Sequence, residues 1–225
     1  MEPKTLSIRV IHHPQMAKRK RYLDKILQDY VDVKFITAEY EAPHLLHCSY
    51  TGGNEESWNN KFRILYPNAS VYRLLITSEI NNAISHRCAI DSFRGDWCLI
   101  IEDDAVFGAD FERFLTENPF PENADIVYLG GGFDQNLLLK NIKRFGRYIS
   151  ADHPCTNTCV AYAISKSAAR RVANELNSFD GPIDYELAFL QYKLSLNVYH
   201  ASPYVVHEGS KFLYASSIRP HATMI

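Results

Sequence analysis

The sequence predicts a single α/β domain in which helices flank a central sheet. Residues 5–11, 16–30 and 33–36 read in turn as a strand, an amphipathic helix and a strand, which together form a β-α-β unit. Residues 98–101 (Cys-Leu-Ile-Ile) are apolar throughout, which is typical of a central strand buried on both faces. The chain has 225 residues, 46% of them hydrophobic, and this is sufficient for one domain with a substantial core.

The spacing of apolar residues predicts further helices and strands along the rest of the chain. The predicted helices are 77–93, 107–115, 165–176 and 184–194, and the predicted strands are 125–129, 159–164 and 198–200. Residues 40–72 contain Pro43, Pro67 and a Gly-Gly pair without sustained periodicity, which predicts a loop-rich insert. The simplest organisation is therefore one domain, 1–225, with an insert at about 40–72.

Composition restricts the partners and the compartment. A net charge of −2 and a pI near 6.5 do not call for a nucleic-acid partner, so none is predicted. The basic run 18–21 (Lys-Arg-Lys-Arg) is interpreted as a solvated helix face, with a phosphate- or membrane-facing patch as the alternative. Five cysteines without a C-x-x-C spacing predict free thiols. With no signal peptide and no long apolar segment, we expect a cytoplasmic protein, at most at the inner face of a membrane.

The acidic triplet Glu102-Asp103-Asp104 directly follows the predicted buried strand. Adjacent carboxylates repel one another and raise one another's pKa unless something compensates their charge. Mg²⁺ or Mn²⁺ would do so, and ligands of open α/β sheets bind beyond the carboxyl ends of the strands. A solvated turn that caps the next helix is the alternative, and the buried strand before the triplet favours the metal.

Residues 76–107 (ITSEINNAISHRCAIDSFRGDWCLIIEDDAVF) resemble glycosyltransferase family 25, which includes lipopolysaccharide and collagen galactosyltransferases. The matching positions are Thr77, Glu79, Ile80, Ser85, His86 and 99–104. Residues 7–23, 125–131, 161–172, 182–187 and 205–220 resemble further segments of the family. Ser78 and Asn81 replace two glycines of the family pattern, which leaves the donor and the acceptor class open.

This resemblance implies a GT-A-type, Rossmann-like mixed sheet flanked by helices. It implies inverting transfer of galactose or glucose from a UDP-sugar to a hydroxyl, with Mn²⁺ or Mg²⁺ as the cofactor. The implied acceptor is a lipopolysaccharide or another surface glycan, while hydroxylysine of a protein and a modified base of DNA remain open. Peripheral membrane association would suit a glycan acceptor.

The expected metal ligands are Asp104, Asp103 and His207. Asp104 is the expected direct ligand, since a divalent ion held there would neutralise charge on the leaving diphosphate. Asp103 is expected to contact the metal or the donor ribose. A late histidine often completes the metal shell in GT-A folds, but a lone histidine is as often structural.

The remaining expected roles concern the base and the donor. Asp184, at the start of a predicted helix, is the expected catalytic base, with Glu186 in reserve; a plain helix cap is the alternative for Asp184. The expected donor-binding residues are His12, Glu79, His86, Glu102 and Asp103. For Glu79 and His86 the alternative is an ion pair that orients the aspartates, and Glu102 is the member of the triplet most expected to be structural. Arg19 and Arg21 could reach a phosphate, with a surface position favoured.

Two rival functions belong to other classes. A metal-dependent nucleotidyl or phosphoryl transferase would use the same carboxylates, although the sequence has no Walker loop. A non-catalytic, glycan-binding homologue is the second rival, although the carboxylates that such a protein would be expected to lose are intact.

Overall fold

The computed structural model describes residues 6–37, 48–52, 54–65, 73–131, 142–150 and 158–211. The helices are α1 (Ala17–Ile26), α2 (Glu55–Leu65), α3 (Thr77–Asp91), α4 (Phe111–Glu117), α5 (Lys166–Glu175) and α6 (Ile183–Lys193). The first strands are β1 (Leu6–Ile11), β2 (Val33–Ile36), β3 (Ser49–Tyr50), β4 (Trp97–Glu102), β5 (Ala105–Phe107), β6 (Ile126–Tyr128) and β7 (Gly130–Gly131). They are followed by β8 (Lys143–Phe145), β9 (Tyr148–Ser150), β10 (Ala161–Ser165), β11 (Ser178–Phe179), β12 (Val198–Ala201) and β13 (Val206–Glu208), after which Gly209–Lys211 form a 3-10 turn.

The main sheet is mixed, as the resemblance implies. Among the described residues it has eight strands in the order β2-β1-β4-β10-β6-β12-β9-β8. Strands β2, β1 and β4 are parallel, β10 runs antiparallel between β4 and β6, and β12 is parallel to β6. A small sheet, β5-β13-β7, lies beyond the end of β4, and β3 pairs with β11. The prediction of an α/β fold with a mixed sheet is confirmed.

Helices cover both faces of the main sheet. On one face, α3, α5 and α6 pack with one another and contribute Ile84, Val172 and Leu187 to the core. On the other face, α1 and α4 contribute Leu23 and Phe114. Strand β4 is buried against both layers because successive side chains of a strand point to opposite faces. Its apolar sequence is the direct signature of that position, as predicted.

Two predictions about secondary structure are wrong. Helix α4 begins at Phe111 rather than at 107, because Ala105–Phe107 form strand β5 beside β13. Within the predicted loop-rich insert, Glu55–Leu65 form helix α2; residues 40–47, 53 and 66–72 of the insert lie outside the described part. Asn54 caps this helix by accepting a hydrogen bond from the Ser57 N–H at 3.0 Å, a signal that the sequence contains.

Helix α2 docks on the start of α6 through a close approach. The buried Trp58 packs edge-on against Tyr185, with 5.9 Å between ring centroids. A Cβ on Gly181 would lie 1.9 Å from the Trp58 ring, so only glycine fits at that position. The insert is thereby joined to the turn that precedes Asp184.

The described cysteines Cys48, Cys88 and Cys98 are free thiols, in agreement with the prediction, whereas Cys155 lies outside the described part. Of the described helices, none has the length and apolar character needed to cross a membrane.

Candidate active site

Asp103 fastens the end of β4 to the loop between β1 and α1. Its Oδ2 accepts a hydrogen bond from the His13 N–H at 2.8 Å and lies 2.9 Å from His12 Nδ1. Its Oδ1 accepts a hydrogen bond from the Arg19 guanidinium at 2.6 Å. Both carboxylate oxygens are thus engaged by protein donors, and the contact of Asp103 with a metal or a donor ribose stays a prediction.

The buried position of Arg19 shows that the interpretation of the basic run 18–21 as a solvated face is wrong at this residue. Its side chain is buried against Asp103, whereas Lys18 and Arg21 are exposed. The run is therefore not uniformly a solvated face: one of its cations turns inward to offset the acidic triplet. A buried arginine that holds a carboxylate through its planar guanidinium is the usual arrangement for such a pair.

Two side chains of helix α3 hold the carboxylate of Glu102 in place. Its Oε1 accepts a hydrogen bond from Asn82 at 3.1 Å and lies 3.3 Å from His86 Nε2. His86 is fully buried, and its Nδ1 lies 3.1 Å from the Tyr162 hydroxyl, with the two rings stacked. Burial raises the pKa of Glu102, but the hydrogen bonds from His86 and Asn82 outweigh it and hold that pKa below its usual range. Among the described contacts, His86 therefore orients Glu102 and not an aspartate, and a contact of His86 with the donor stays a prediction.

Asp104 differs from its two neighbours in the triplet. It is 9% exposed, and its Oδ1 is a buried oxygen without a hydrogen-bond partner among the described residues. Burial and then the nearby Glu102 raise the pKa of Asp104 to about 7. A buried carboxylate oxygen that lacks a donor fits a site that is completed by a cation.

The short strand β13 brings Glu208, and not His207, toward this carboxylate. Val206 is fully buried, so the alternation of side chains turns Glu208 to the same side and His207 to the other. His207 is accordingly exposed. Glu208 raises the pKa of Asp104 through its charge, as well as that of Asp184. The structure does not bring His207 to Asp104, and the alternation in Val-Val-His-Glu was the overlooked signal.

Asp184 lies in the first turn of α6, close to the same carboxylates. Burial, followed by the charge of Glu102, raises the pKa of Asp184 to about 7, although N–H groups at the start of the helix lower it in part. Helix α6 begins at Ile183 with Pro182 at the N-cap position, so Asp184 is the second residue of the helix and not its cap, and its role as a base stays a prediction. A carboxyl group with a pKa near neutrality can take up and release a proton at physiological pH.

Glu79 is held by Arg73, whose guanidinium binds both of its carboxylate oxygens at 2.6 and 2.5 Å. Glu79 also accepts a hydrogen bond from the Ile76 N–H at 3.2 Å, which caps α3. The charge of Asp184 acts on Arg73, so this arginine lies on the side of the acidic residues. Glu79 thus positions Arg73, and a direct contact of Glu79 with a donor stays a prediction.

Glu186, the reserve base, faces elsewhere. Its carboxylate accepts hydrogen bonds from Lys61 Nζ at 2.9 Å and from the backbone N–H groups of Asp180 and Gly181. It lines a pocket of about 270 Å³ between α2, β11 and α6 that includes neither Asp104 nor Asp184. Glu186 therefore links α6 to α2 through Lys61, and the structure does not bring this residue to the acidic triplet.

Asp104, Asp184, Glu102 and Glu208 thus form one acidic cluster at the carboxyl end of β4. Among the described residues, no group of three His, Cys, Asp or Glu side chains is close enough together to enclose a metal ion. A cation here would have one or two protein carboxylates and would need further oxygen ligands from a substrate or from water. Mg²⁺ sites that act on phosphate substrates are commonly of this kind.

Comparison with known proteins gives only distant similarities. No protein-family model matches the chain, and no curated protein sequence matches it. One similar solved structure is a glycosyltransferase involved in the glycosylation of the major capsid of PBCV-1, with 11% identity over 90% of this chain and 91% of that chain, and a TM-score of 0.43. Another is the apo-form glycosyltransferase GlyE of Streptococcus pneumoniae TIGR4, with 9% identity, a TM-score of 0.39 and coverage of 88% of this chain but only 45% of that chain. At this level of similarity, the activity has to be argued from the residues of the site.

Asp103→Asn and Asp104→Asn are expected to change stability in opposite directions. Asp103→Asn leaves the buried Arg19 without its counter-ion and should lower the free energy of unfolding by about 3 kcal/mol. Asp104→Asn removes a repelled carboxyl group and should leave that energy unchanged or raise it. Urea unfolding in EDTA at about pH 7.5 measures both, and equal losses would contradict the assignment.

Asp184→Asn is expected to remove part of the pH dependence of stability. Since the pKa of Asp184 is about 7 in the folded protein and 3.8 as its ordinary value, the folded state holds the proton longer, and stability falls as pH rises between these values. Relative to the wild type, the variant should gain about 2 kcal/mol between about pH 5 and pH 8. Thermal unfolding in EDTA tests this, with Asp29→Asn, an exposed aspartate, as the control.

Proposed function

We propose that this protein is an inverting glycosyltransferase that moves galactose or glucose from a UDP-sugar to an acceptor hydroxyl with the help of Mn²⁺ or Mg²⁺. The observation that carries the proposal is that two carboxyl groups with raised pKa values, those of Asp104 and Asp184, lie beside Glu102 and Glu208. Asp104 has a buried oxygen without a partner among the described residues, and Asp184 has a pKa of about 7. Asp104 is therefore suited to hold a cation, and Asp184 is suited to act as the catalytic base.

The two groups divide the reaction between them. A bound divalent cation held by Asp104 supplies a Lewis acid for the charge that develops on the departing diphosphate. Asp184 takes the proton of the acceptor hydroxyl as that oxygen forms its bond to the anomeric carbon and the bond from this carbon to the diphosphate breaks. Because attack and departure occur on opposite faces, the anomeric configuration inverts.

Other residues of the site hold these groups in place. His86 and Asn82 orient Glu102, which keeps its charge beside Asp184 and helps to raise the pKa of the base. Asp103 holds the loop after β1, where the base or ribose of a nucleotide rests in open α/β sheets. His12, fixed by Asp103, is the residue of that loop proposed to contact the donor.

The finer identity rests on the resemblance of residues 76–107 to glycosyltransferase family 25. Membership of that family, a GT-A-type fold and a lipopolysaccharide or another surface glycan as the acceptor are parts of the same proposal. An enzyme with this acceptor would work in the cytoplasm at the inner face of a membrane. Arg73, with its side chain 38% exposed and its guanidinium directed by Glu79, would suit a polar group of the acceptor or the donor.

Metal-dependent release of UDP is the first test of the proposal. Wild-type protein incubated with UDP-galactose or UDP-glucose and Mn²⁺ should release UDP, by transfer or by slow hydrolysis, and EDTA should stop the release. Asp104→Asn should lose at least about a hundredfold in rate. Release of pyrophosphate from nucleoside triphosphates instead would indicate a nucleotidyl transferase, and thermal stabilisation by glycans without any turnover would indicate a non-catalytic binding protein.

The pH profile tests the base. The rate of the wild type should fall as pH decreases through about 7, because protonated Asp184 cannot accept the hydroxyl proton. Asp184→Asn should lower kcat by about 10²- to 10⁴-fold while the affinity for the donor with Mn²⁺ changes only a few-fold. Glu112→Gln, an exposed carboxylate in the first turn of α4, is the control, and a loss in kcat as large as that of Asp184→Asn would show that the assignment is wrong.

A further inference from the structure

We infer that Glu208, rather than His207, is the second protein ligand of the divalent cation, and that a nucleoside diphosphate completes the coordination. The inference rests on the proposed function and adds a residue to it. Its basis is the arrangement of β13 and of the turn that follows it beside Asp104.

The backbone of β13 places Glu208 beside the end of the acidic triplet. Strand β13 pairs antiparallel with β5, and Glu208 lies opposite Ala105, the residue after Asp104. The Gly209 N–H donates to the Asp104 carbonyl at 2.8 Å, which fixes the register at this point. The backbone of Glu208 can shift away only if this pairing breaks.

The hydroxyl of Ser210 joins the two carboxyl groups. It donates to Glu208 Oε1 at 2.9 Å, and it also interacts with the Asp104 side chain, which it helps to keep ionised. A hydroxyl has one proton and can satisfy only one acceptor at a time. The buried Oδ1 of Asp104 still has no donor among the described residues, so the pair has the negative charge and the acceptor capacity that a cation requires.

The surroundings favour a cation over further protein donors. Glu102 is turned to His86 and Asn82, and Asp103 is turned to Arg19 and His12. These donors therefore hydrogen-bond the other two carboxylates of the triplet and leave Oδ1 of Asp104 without a donor among the described residues. With two carboxylates, the site would have too few protein ligands for a closed cage, in keeping with the absence of a three-residue cluster among the described residues. Mg²⁺ and Mn²⁺ accept such open sites when phosphate oxygens and water fill the remaining positions.

His207 does not meet these requirements. It is exposed and lies on the opposite side of β13 from Glu208. Imidazole is also a softer ligand than a carboxylate, and Mg²⁺ and Mn²⁺ prefer oxygen. The two residues are neighbours on one strand, so they form a matched pair for an experiment.

The experiment measures binding of Mn²⁺ directly, by calorimetry and by the loss of the free Mn²⁺ signal in electron paramagnetic resonance, with and without UDP. Wild-type protein should bind Mn²⁺ weakly alone and at least about tenfold more tightly with UDP. Glu208→Gln should weaken binding in the presence of UDP by about tenfold or more, since even indirect partners of metal ligands contribute that much. His207→Gln should stay within about twofold of the wild type.

A second measurement covers the possibility that Glu208→Gln folds poorly. In EDTA, removal of one repelling charge should leave the melting temperature equal to or above that of the wild type, while the rise induced by Mn²⁺ with UDP should shrink. Glu208→Asp, which keeps the charge on a shorter side chain, should bind Mn²⁺ with intermediate affinity.

The outcomes separate this inference from the proposed function. If Asp104→Asn abolishes Mn²⁺ binding but Glu208→Gln does not, or if His207→Gln has the larger effect, Glu208 is not a ligand and the proposed function stands. If wild-type protein binds no Mn²⁺ even with UDP, both proposals fail. Mn²⁺ binding that depends on Glu208 without any turnover of UDP-sugars would support the ligand and overturn the proposed reaction.

Discussion

Repulsion among carboxylates at the end of β4 is the constraint on which the rest of the site depends. Each member of Glu102-Asp103-Asp104 meets it differently. Asp103 is matched by the buried Arg19, and Glu102 by His86 and Asn82. Burial and then like charges raise the pKa of Asp104 to about 7, and the Ser210 hydroxyl and the charge of Arg19 offset this only in part. The uncompensated charge is thus confined to one of the three positions.

This division of charge explains why several elements converge at one end of the sheet. The β1–α1 loop is drawn in by Asp103, and α3 presents a buried polar row beneath Glu102. Strand β13 and the start of α6 bring Glu208 and Asp184 to the same region, where burial and the charges of Glu102 and Glu208 raise the pKa values of Asp104 and Asp184. Proteins accept such local cost where a ligand relieves it, and acidic groups with raised pKa values therefore cluster at functional sites.

Helix α2 of the insert is linked to the start of α6 through a second group of charged side chains. Lys61 of α2 lies 3.0 Å from Asp180 and 2.9 Å from Glu186, and Gly181 between them admits the Trp58 ring. These contacts hold the turn that leads into Asp184. Any movement of α2 would therefore be transmitted to the turn before the proposed base, and helix α2 is coupled to the site by packing.

By itself, the sequence determined the alternation of helices and strands, the central position of β4 and the location of the acidic triplet at its end. Such features follow from local patterns of apolar residues and from the rule that ligands bind beyond the carboxyl ends of strands. The sequence also predicted that Asp184 lies in the first turn of a helix, since a carboxylate at such a position has a local signature. Helix α2 was missed although Asn54 marks its start and apolar residues at 58, 62 and 65 follow helical spacing, because the prolines and glycines around this segment favoured a loop.

Only the tertiary structure decided which charges meet. Arg19 and Lys18 are adjacent in the chain, yet one is buried against Asp103 and the other is exposed. His207 and Glu208 are likewise adjacent, and the pairing of β13 with β5 turns Glu208 toward the carboxylates. The reason is physical: the pKa and the role of a carboxyl group depend on burial and on charges from distant parts of the chain, and the sequence does not state those distances.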